Sequence, residues 1–269
     1  RICSVADVAD TPDPGFFGPG SVTWKVHSDP SALVGGIRAL LMQALNPLAM
    51  AGVDQHSDYW SDPLERFQRT AQFVSTVTFG THEDARRAAR RVSQVHETVR
   101  GTDPVTGRAY TADDPELLAW VHNVLVDSLL AAQHRYGVGL SAADRDAYVE
   151  EMVRMAELVG TPPELCPTTV KTLRAYLDSA EMVASETVHR AKWALLTPPM
   201  PGRLRPGWGA LDAAAIDLLP PRAKGLYGLW WTAPAAPAVR LATRGVLAVM
   251  RANAPIPPAR RAAEARLAG

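Results

Sequence analysis

Helix-start signals recur along the chain and constrain its fold more than any other feature. Asp62-Pro63 and Asp114-Pro115 each place a hydrogen-bond acceptor before a proline that suits the first helical position. Thr81-x-x-Asp84 and Ser141-x-x-Asp144 have the spacing of a capping box, with Asp in place of the usual Glu. Apolar residues recur at helical spacing after these starts, and strand-like alternation is nearly absent. The sequence therefore predicts an all-α protein.

The composition of the 269 residues indicates a globular protein without a strong overall charge. Hydrophobic residues make up 47%, and 28 basic side chains balance 28 acidic ones, which excludes a disordered chain and a general attraction to nucleic acid. Cys3 and Cys166 form no CxxC or CxxCH pattern, so a disulfide scaffold, a cysteine zinc site and covalent haem attachment are not expected. No apolar run reaches the length of a transmembrane helix, and we expect a cytoplasmic protein.

We expect one domain over residues 1–269, because chains of this length often form a single unit. Its expected parts are an irregular Pro/Gly/Asp-rich leader at 1–35, a helical core at about 36–200, and C-terminal helices at 201–269 with a tail that frays after residue 255. The segment 101–113 contains Gly, Thr, Asp and Pro, which predicts a loop. The predicted helices cover about 32–51, 62–79, 81–100, 114–136, 141–158, 168–177, 179–196, 209–218, 221–231 and 235–252.

Two of the seven histidines fall on apolar helix faces. His96 lies opposite an arginine-rich face, and His122 lies on the apolar face of the next helix. Helices joined by a loop usually pack antiparallel, so both imidazoles are expected to face one interior space. A buried neutral imidazole is a strong axial ligand for haem iron, but it also occurs in protein cores held by one hydrogen bond. His27, His82 and His134 are expected in loops or on the surface.

Arg66 and Thr70 are four residues apart on the apolar stripe of the preceding helix. An arginine on such a stripe needs a buried partner, because unpaired burial costs several kcal/mol. One sufficient partner is an anionic cofactor, such as the two propionates of haem. The alternative is a structural ion pair with Glu97, Asp127 or Glu151.

The order of several short motifs carries a resemblance that no single motif would. The chain resembles the all-α family that includes the fungal MpaB-type oxygenases and the bacterial latex-clearing (rubber) oxygenases. The resemblance spans about residues 15–200, most of the chain. The matching stretches are Gly18-Pro19-Gly20-Ser21-Val22-Thr23-Trp24, Leu41-Met42-Gln43-Ala44-Leu45-Asn46-Pro47, Gly52-Val53-Asp54-Gln55-His56-Ser57, Asp62-Pro63-x-x-Arg66-x-x-Arg69-Thr70, Val95-His96-x-x-Val99-x-Gly101, Tyr110-Thr111-Ala112-Asp113-Asp114-Pro115-x-Leu117-Leu118-x-Trp120-Val121-His122 and Asp146-x-Tyr148-Val149-x-Glu151-Met152.

The resemblance implies a helical pocket that holds non-covalent haem b. The proximal iron ligand of the rubber oxygenases lies in a His-x-x-x-Arg setting, which His96 and Arg100 match. The Arg-x-x-Lys-Thr motif of their haem pocket is matched by Arg66, Arg69 and Thr70, with Arg in place of Lys. Arg66 or Thr70 would then hydrogen-bond the oxidant, and Arg69 would pair with a propionate.

One part of the family pattern is missing from this chain. A glutamate upstream of the arginine motif assists the rubber enzymes, whereas residues 51–58 contain no glutamate. Cleavage of carotenoid-like alkenes is therefore not carried over from the family. His56 and His122 are predicted as a distal acid or a second iron ligand.

These features predict a haem-b-dependent oxygenase that oxidises a hydrophobic small molecule with dioxygen or peroxide. A non-catalytic haem-binding or electron-transfer protein stays open as an alternative, as does a helical protein without cofactor that binds a lipid or a partner. A hydrolase is not supported, because the chain has no G-x-S-x-G motif. Trp230-Trp231 either packs in the core or makes a peripheral membrane contact. The predicted apolar pocket walls are Leu41, Leu45, Phe73, Val77, Leu118 and Leu125.

Overall fold

The computed structural model describes residues 12–57, 62–137, 139–253 and 256–268, without the side chains of residues 230, 231 and 233. These residues form thirteen α-helices, three short 3₁₀ segments and one small hairpin, which confirms the prediction of a single all-α domain. The strands are β1 (Arg100–Thr102) and β2 (Ala109–Thr111). The helices are α1 (Val22–Ser28), α2 (Ser31–Gln43), α3 (Pro47–His56), α4 (Pro63–Phe79), α5 (His82–His96), α6 (Pro115–Tyr136), α7 (Ala142–Leu158), α8 (Val170–Ser179), α9 (Glu186–Leu196), α10 (Arg205–Asp217), α11 (Pro221–Leu226), α12 (Ala236–Asn253) and α13 (Pro258–Ala268).

The four helix starts that the Asp-Pro pairs and the capping boxes predict are confirmed. Asp62 and Asp114 accept hydrogen bonds from backbone N–H groups in the first turns of α4 and α6, both at 2.8 Å. Thr81 and Ser141 begin reciprocal capping boxes at the starts of α5 and α7. Each cap satisfies donors that the first helical turn leaves free, so local chemistry determines where these helices begin.

The core is densest where α2 crosses α6, and α10 also packs against α2. Val34, Ile37 and Leu41 of α2 are buried there. A Cβ atom on Gly35 would lie 2.9 Å from the Cα of Leu129, so the close approach of α2 and α6 requires glycine.

The prediction of an irregular leader over 1–35 is wrong within the described residues, which contain α1 and the start of α2. The Ser21 side chain caps the first turn of α1. Glu151 of α7 accepts hydrogen bonds from the backbone N–H groups of Val22 and Thr23, at 3.1 and 2.7 Å. A tertiary contact thus supports a two-turn helix that is too short for periodicity to predict.

The single helix predicted over 32–51 is two helices, α2 and α3. The chain bends by 100° between them. Asn46 accepts hydrogen bonds from the N–H groups of Leu48 and Ala49 at 3.0 Å, and Pro47 takes the first position of α3. This second cap starts a new helix at a point where the periodicity predicts that one helix continues. No single described helix is long and apolar enough to cross a membrane; α2 and α3 together satisfy that test by length and composition only.

The loop predicted at 101–113 contains the antiparallel hairpin of β1 and β2, and α5 ends earlier than predicted, at His96. Gly101 pairs with Tyr110 across the hairpin. The hairpin contacts α3 and turns the Tyr110 side chain inward, where it is buried. Strands of three residues are too short for sequence alternation to indicate them.

The tail that was expected to fray after residue 255 forms α13 instead. The Arg266 guanidinium donates to the carbonyl oxygen of Asp13 at 2.8 Å and to that of Phe79 at 3.1 Å. Ala263 is buried against Phe79. These contacts order an Ala/Arg-rich segment whose own pattern carries little signal.

The prediction that His27 lies in a loop or on the surface is also wrong. His27 belongs to α1, with Nδ1 2.7 Å from Thr78 Oγ1 and Nε2 3.0 Å from the Tyr148 hydroxyl. The Thr78 hydroxyl donates to the Val74 carbonyl oxygen at 2.7 Å, so Nδ1 of His27 donates to Thr78 and Tyr148 donates to Nε2. Burial lowers the pKa of His27 to about 3, and the ring is therefore neutral.

Asp212 of α10 makes stability depend on pH. Its side chain is buried, Oδ1 has no hydrogen-bond partner among the described residues, and burial raises its pKa to about 8. The folded protein holds this carboxyl protonated, whereas the unfolded chain ionises it near pH 3.8. Asp212 therefore lowers the free energy of unfolding progressively as the pH rises from about 4 to about 8.

We expect Asp212→Asn to raise the free energy of unfolding at pH 7 by on the order of 2–4 kcal/mol, because asparagine needs no proton to remain neutral. Urea unfolding between pH 4 and 8 measures this change, and the variant should depend less on pH than the parent. Asp178→Asn, at an exposed position, is the control and should behave like the parent. A pH dependence that Asp212→Asn leaves unchanged would contradict the prediction.

Candidate functional site

Four of the predicted site residues line one cavity of about 340 Å³. They are His56 at the end of α3, Arg66 and Arg69 on α4, and His96 at the end of α5. Apolar side chains from α2, α3, α6 and the hairpin complete most of the wall. A volume of this size with a few convergent polar groups is typical of small-molecule and cofactor sites.

His96 is half-buried in the cavity wall, and its Nδ1 atom is buried without a hydrogen-bond partner among the described residues. Burial and the Arg66 guanidinium lower the pKa of His96, while Asp113 opposes them. The imidazole is therefore neutral near pH 7 and keeps a lone pair for a metal ion. Within the described ranges, no group of three or more His, Cys, Asp or Glu side chains forms a metal-binding cluster.

Two arginines give one edge of the cavity positive charge. Arg66 is half-buried and lies one turn of α4 before Arg69. The Arg69 side chain is 63% exposed and forms an ion pair with Glu65 at 3.0 Å. An exposed pair of this kind contributes little free energy, so Arg69 can exchange Glu65 for a stronger anion. This edge therefore suits a ligand that carries carboxylate groups.

The hairpin orients His56 within the cavity. His56 Nε2 donates to the carbonyl oxygen of Arg100 at 3.1 Å, so Nδ1 is the ring nitrogen that can act as an acceptor. The Arg100 guanidinium donates to the carbonyl oxygen of Glu97, and Arg100 does not line the cavity. Arg100 thus contacts the site through its backbone.

Thr70 and His122 are not among the residues that line this cavity. Thr70 donates to the Arg66 carbonyl oxygen at 3.1 Å and lines a neighbouring cleft. His122 is 7% exposed within α6, and burial lowers its pKa to about 4. The cavity therefore does not bring His122 together with His96, and the roles assigned to Thr70 and His122 stay predictions.

The predicted apolar walls divide between three places. Leu118 lines the His96 cavity, and Leu125 lines the neighbouring cleft. Leu41, Leu45 and Val77 are instead buried in the main core. Helical spacing identifies an apolar face but does not distinguish a packed core from a cavity wall.

Two alternatives from the sequence remain: the ion-pair partner of Arg66 and the role of Trp230-Trp231. Of the ion-pair partners weighed for Arg66, Asp127 pairs with Arg38 at 2.7 Å and Glu151 binds the start of α1. The side chains of Trp230-Trp231 lie outside the described residues, so their core or membrane role stays a prediction.

Tyr110 is a cavity residue that the sequence analysis missed. Its hydroxyl donates to Gln55 Oε1 at 3.0 Å, and burial together with Asp103 and Asp54 raises its pKa. The sequence offers only a single aromatic residue between Ala109 and Thr111, and a strand of three residues is too short to show which way that ring faces. Without the hairpin, nothing in the sequence directs this ring toward His56.

The comparison with protein families agrees with the resemblance seen in the motifs. The protein-family model described as "ER-bound oxygenase mpaB/B'/Rubber oxygenase, catalytic domain" matches residues 24–252 of the chain. This range contains all the cavity residues named above. No curated protein and no solved structure matches the chain significantly. The matched range covers far more than half of the chain, and its family is an oxygenase catalytic domain, which implies a small-molecule substrate and dioxygen. The chain therefore belongs to the family of the mpaB/B' and rubber oxygenase catalytic domains and is an enzyme of the oxygenase class.

Proposed function

We propose that this enzyme is a haem-b-dependent oxygenase that oxidises a hydrophobic small molecule with dioxygen or peroxide. The observation that carries the proposal is the His96 imidazole, which is neutral, lines a cavity and has a buried nitrogen without a partner among the described residues. A buried polar atom of this kind is costly unless a ligand satisfies it. Haem iron is such a ligand, because the porphyrin supplies four nitrogens and the protein needs to supply only one.

The charge of the cavity fits the same cofactor. Haem b carries two propionates, and Arg66 and Arg69 lie on one edge of the cavity. Arginine pairs with carboxylates through two parallel N–H donors, which orients the partner as well as neutralising it. Arg69 would exchange its exposed contact with Glu65 for a propionate. The half-buried Arg66 is the arginine whose charge lowers the pKa of His96.

The residues of the cavity have separate roles in this proposal. When bound, haem supplies the activation of dioxygen or peroxide. His96 would hold the iron, and the Arg66 guanidinium would stabilise negative charge that develops inside the cavity. The Nδ1 atom of His56 accepts a proton, since its Nε2 is held by the Arg100 carbonyl. Leu117 and Leu118 exclude water from the same space.

An absorption spectrum of the protein expressed with a haem supply tests the proposal, as isolated and after dithionite reduction. We expect a Soret band with about one haem per chain and a shift of that band on reduction. A low-spin spectrum that persists in both states would favour two axial histidines and thus a haem-binding or electron-transfer role. Protein that never takes up haem would contradict the cofactor assignment.

A further inference from the structure

A surface groove of about 950 Å³ lies where α6, α7 and α8 meet the end of α10. None of the described residues that line it also lines the His96 cavity. The cavity uses Leu117, Leu118 and Val121 in the first two turns of α6, whereas the groove uses positions from Asp127 to Arg135. The groove is therefore separate from the His96 cavity, and no step of the proposed function uses it.

Four basic side chains line the groove without an ion pair to any described residue. They are Arg135 at the end of α6, Arg145 on α7, and Lys171 and Arg174 on α8. Lys171 and Arg174 are three residues apart and therefore share one face of their helix. The Arg145 guanidinium donates to Nδ1 of His134 at 3.4 Å, which brings the cation of α7 to the end of α6.

The acidic side chains of the groove do not balance these cations. Asp127 and Asp217 are already paired with arginines that lie outside the groove, at 2.7 and 2.9 Å. Asp146 accepts a hydrogen bond from the first backbone N–H of α8 at 2.8 Å, and Asp178 is exposed. The two acids that remain are fewer than the four unpaired cations. A concave surface with an excess of one charge focuses its potential and attracts ligands of the opposite charge.

The types of side chain in the groove narrow the class of anion. A guanidinium binds phosphate through two parallel N–H donors, and a lysine ammonium adds a compact charge. A single carboxylate offers two oxygens and one charge, which is too little for four cations, whereas two linked phosphoryl groups offer more of both. Apolar side chains (Leu130, Val170 and Leu218) complete part of the wall and suit an uncharged portion of the same molecule.

We propose that this groove binds a small molecule that carries a diphosphate group. The four cations contact the diphosphate, and the apolar side chains contact the rest of the molecule. Free pyrophosphate and a nucleoside diphosphate share this chemistry. The site does not depend on the cofactor of the His96 cavity, so binding is measurable in protein with or without haem.

Isothermal titration calorimetry of the purified full chain, without magnesium and at about 0.15 M salt, tests the ligand class. The probes are pyrophosphate, ADP and adenosine. We expect both diphosphates to bind, and ADP to bind at least about tenfold more tightly than adenosine, which lacks the charge. ADP that binds more tightly than pyrophosphate would identify a nucleotide as the ligand, and equal affinities would identify the diphosphate alone. A lack of saturable binding by both diphosphates, or adenosine binding as tight as that of ADP, would overturn the proposal.

Substitutions on α8 test the location. Lys171→Gln and Arg174→Gln each remove one charge at an exposed position. We expect at least one of them to weaken pyrophosphate binding about tenfold or more, because each removes a charge-assisted hydrogen bond. Arg91→Gln is the matched control, since Arg91 on α5 is also exposed and forms no ion pair with a described residue. Parent-like affinity in both groove variants, or an equal loss in Arg91→Gln, would show that the anion does not bind in this groove.

Arg69→Gln tests the other cationic space of the protein, the edge of the His96 cavity. Pyrophosphate binding should stay at the level of the parent in this variant. A loss of affinity in Arg69→Gln that the groove variants do not show would place the anion in the His96 cavity and refute the groove. This result would leave the haem proposal untouched, because that proposal is tested by the Soret band.

Discussion

His96→Ala is expected to lower the affinity for haem by at least about a hundredfold. Loss of a partner that merely orients a metal ligand already costs about 10–100-fold in metal affinity, and this substitution removes the ligand itself. Haem titration followed by the Soret band measures the change. Far-UV circular dichroism of the apoprotein should stay unchanged, because His96 ends α5 and contributes little to the core.

Two further histidine variants complete this experiment, one as a control and one as a test of the predicted second ligand. His134→Ala alters an exposed position outside the cavity and should keep the affinity of the parent. His122→Ala tests the predicted second ligand, and a loss of haem confined to it would transfer the axial role from His96 to His122. Parent-like affinity in His96→Ala would remove the basis of the cofactor proposal.

Arg38→Met is expected to lower the free energy of unfolding by about 3–5 kcal/mol. The Arg38 side chain is 4% exposed and pairs with Asp127 at 2.7 Å, donates to Ser128 Oγ at 2.6 Å and donates to the Leu218 carbonyl oxygen at 2.9 Å. One guanidinium thus joins α2, α6 and the end of α10. Its removal leaves a carboxylate, a hydroxyl and a carbonyl without their donor, and urea unfolding measures the loss.

The double variant Arg38→Met/Asp127→Leu separates two contributions to the loss of stability. One is the cost of leaving the Asp127 carboxylate unpaired, and the other is the cost of the packing that the Arg38 side chain provides. It should recover part of the stability, because it removes the carboxylate that the single variant leaves unpaired. Arg154→Met breaks an exposed pair with Glu157 and should cost less than about 1 kcal/mol. A similar loss in Arg38→Met and Arg154→Met would contradict the importance of the buried pair.

The predictions from sequence succeeded where neighbouring residues carry the information. Caps such as Asp62 and Ser141 satisfy backbone donors within their own first turn, so their effect is visible in four consecutive residues. The end of α2 was harder to predict, because Asn46-Pro47 at that point is compatible with a kink or with a new helix. The wrong expectation for α13 has another cause, since Arg266 acts on the distant Asp13 and Phe79.

The candidate site divides in the same way. The spacing of Arg66, Arg69 and Thr70 places them on successive turns of one helix, but a rotation of that helix decides which cavity each side chain enters. Arg66 and Arg69 face the His96 cavity, whereas Thr70 faces the cleft. The role of Tyr110 depends on a hairpin that has too few residues to produce a pattern.

By itself the sequence determined the helical class, most helix starts, the family and the residue types of the site, because caps, periodicity and motif order are local properties of the chain. Only the tertiary structure decided that His56, Arg66, Arg69 and His96 share a cavity without His122. It also decided that a separate apolar cleft lies beside them. The physical reason is that helix packing sets which faces meet and where space remains between them, and packing is determined by contacts between residues far apart in sequence.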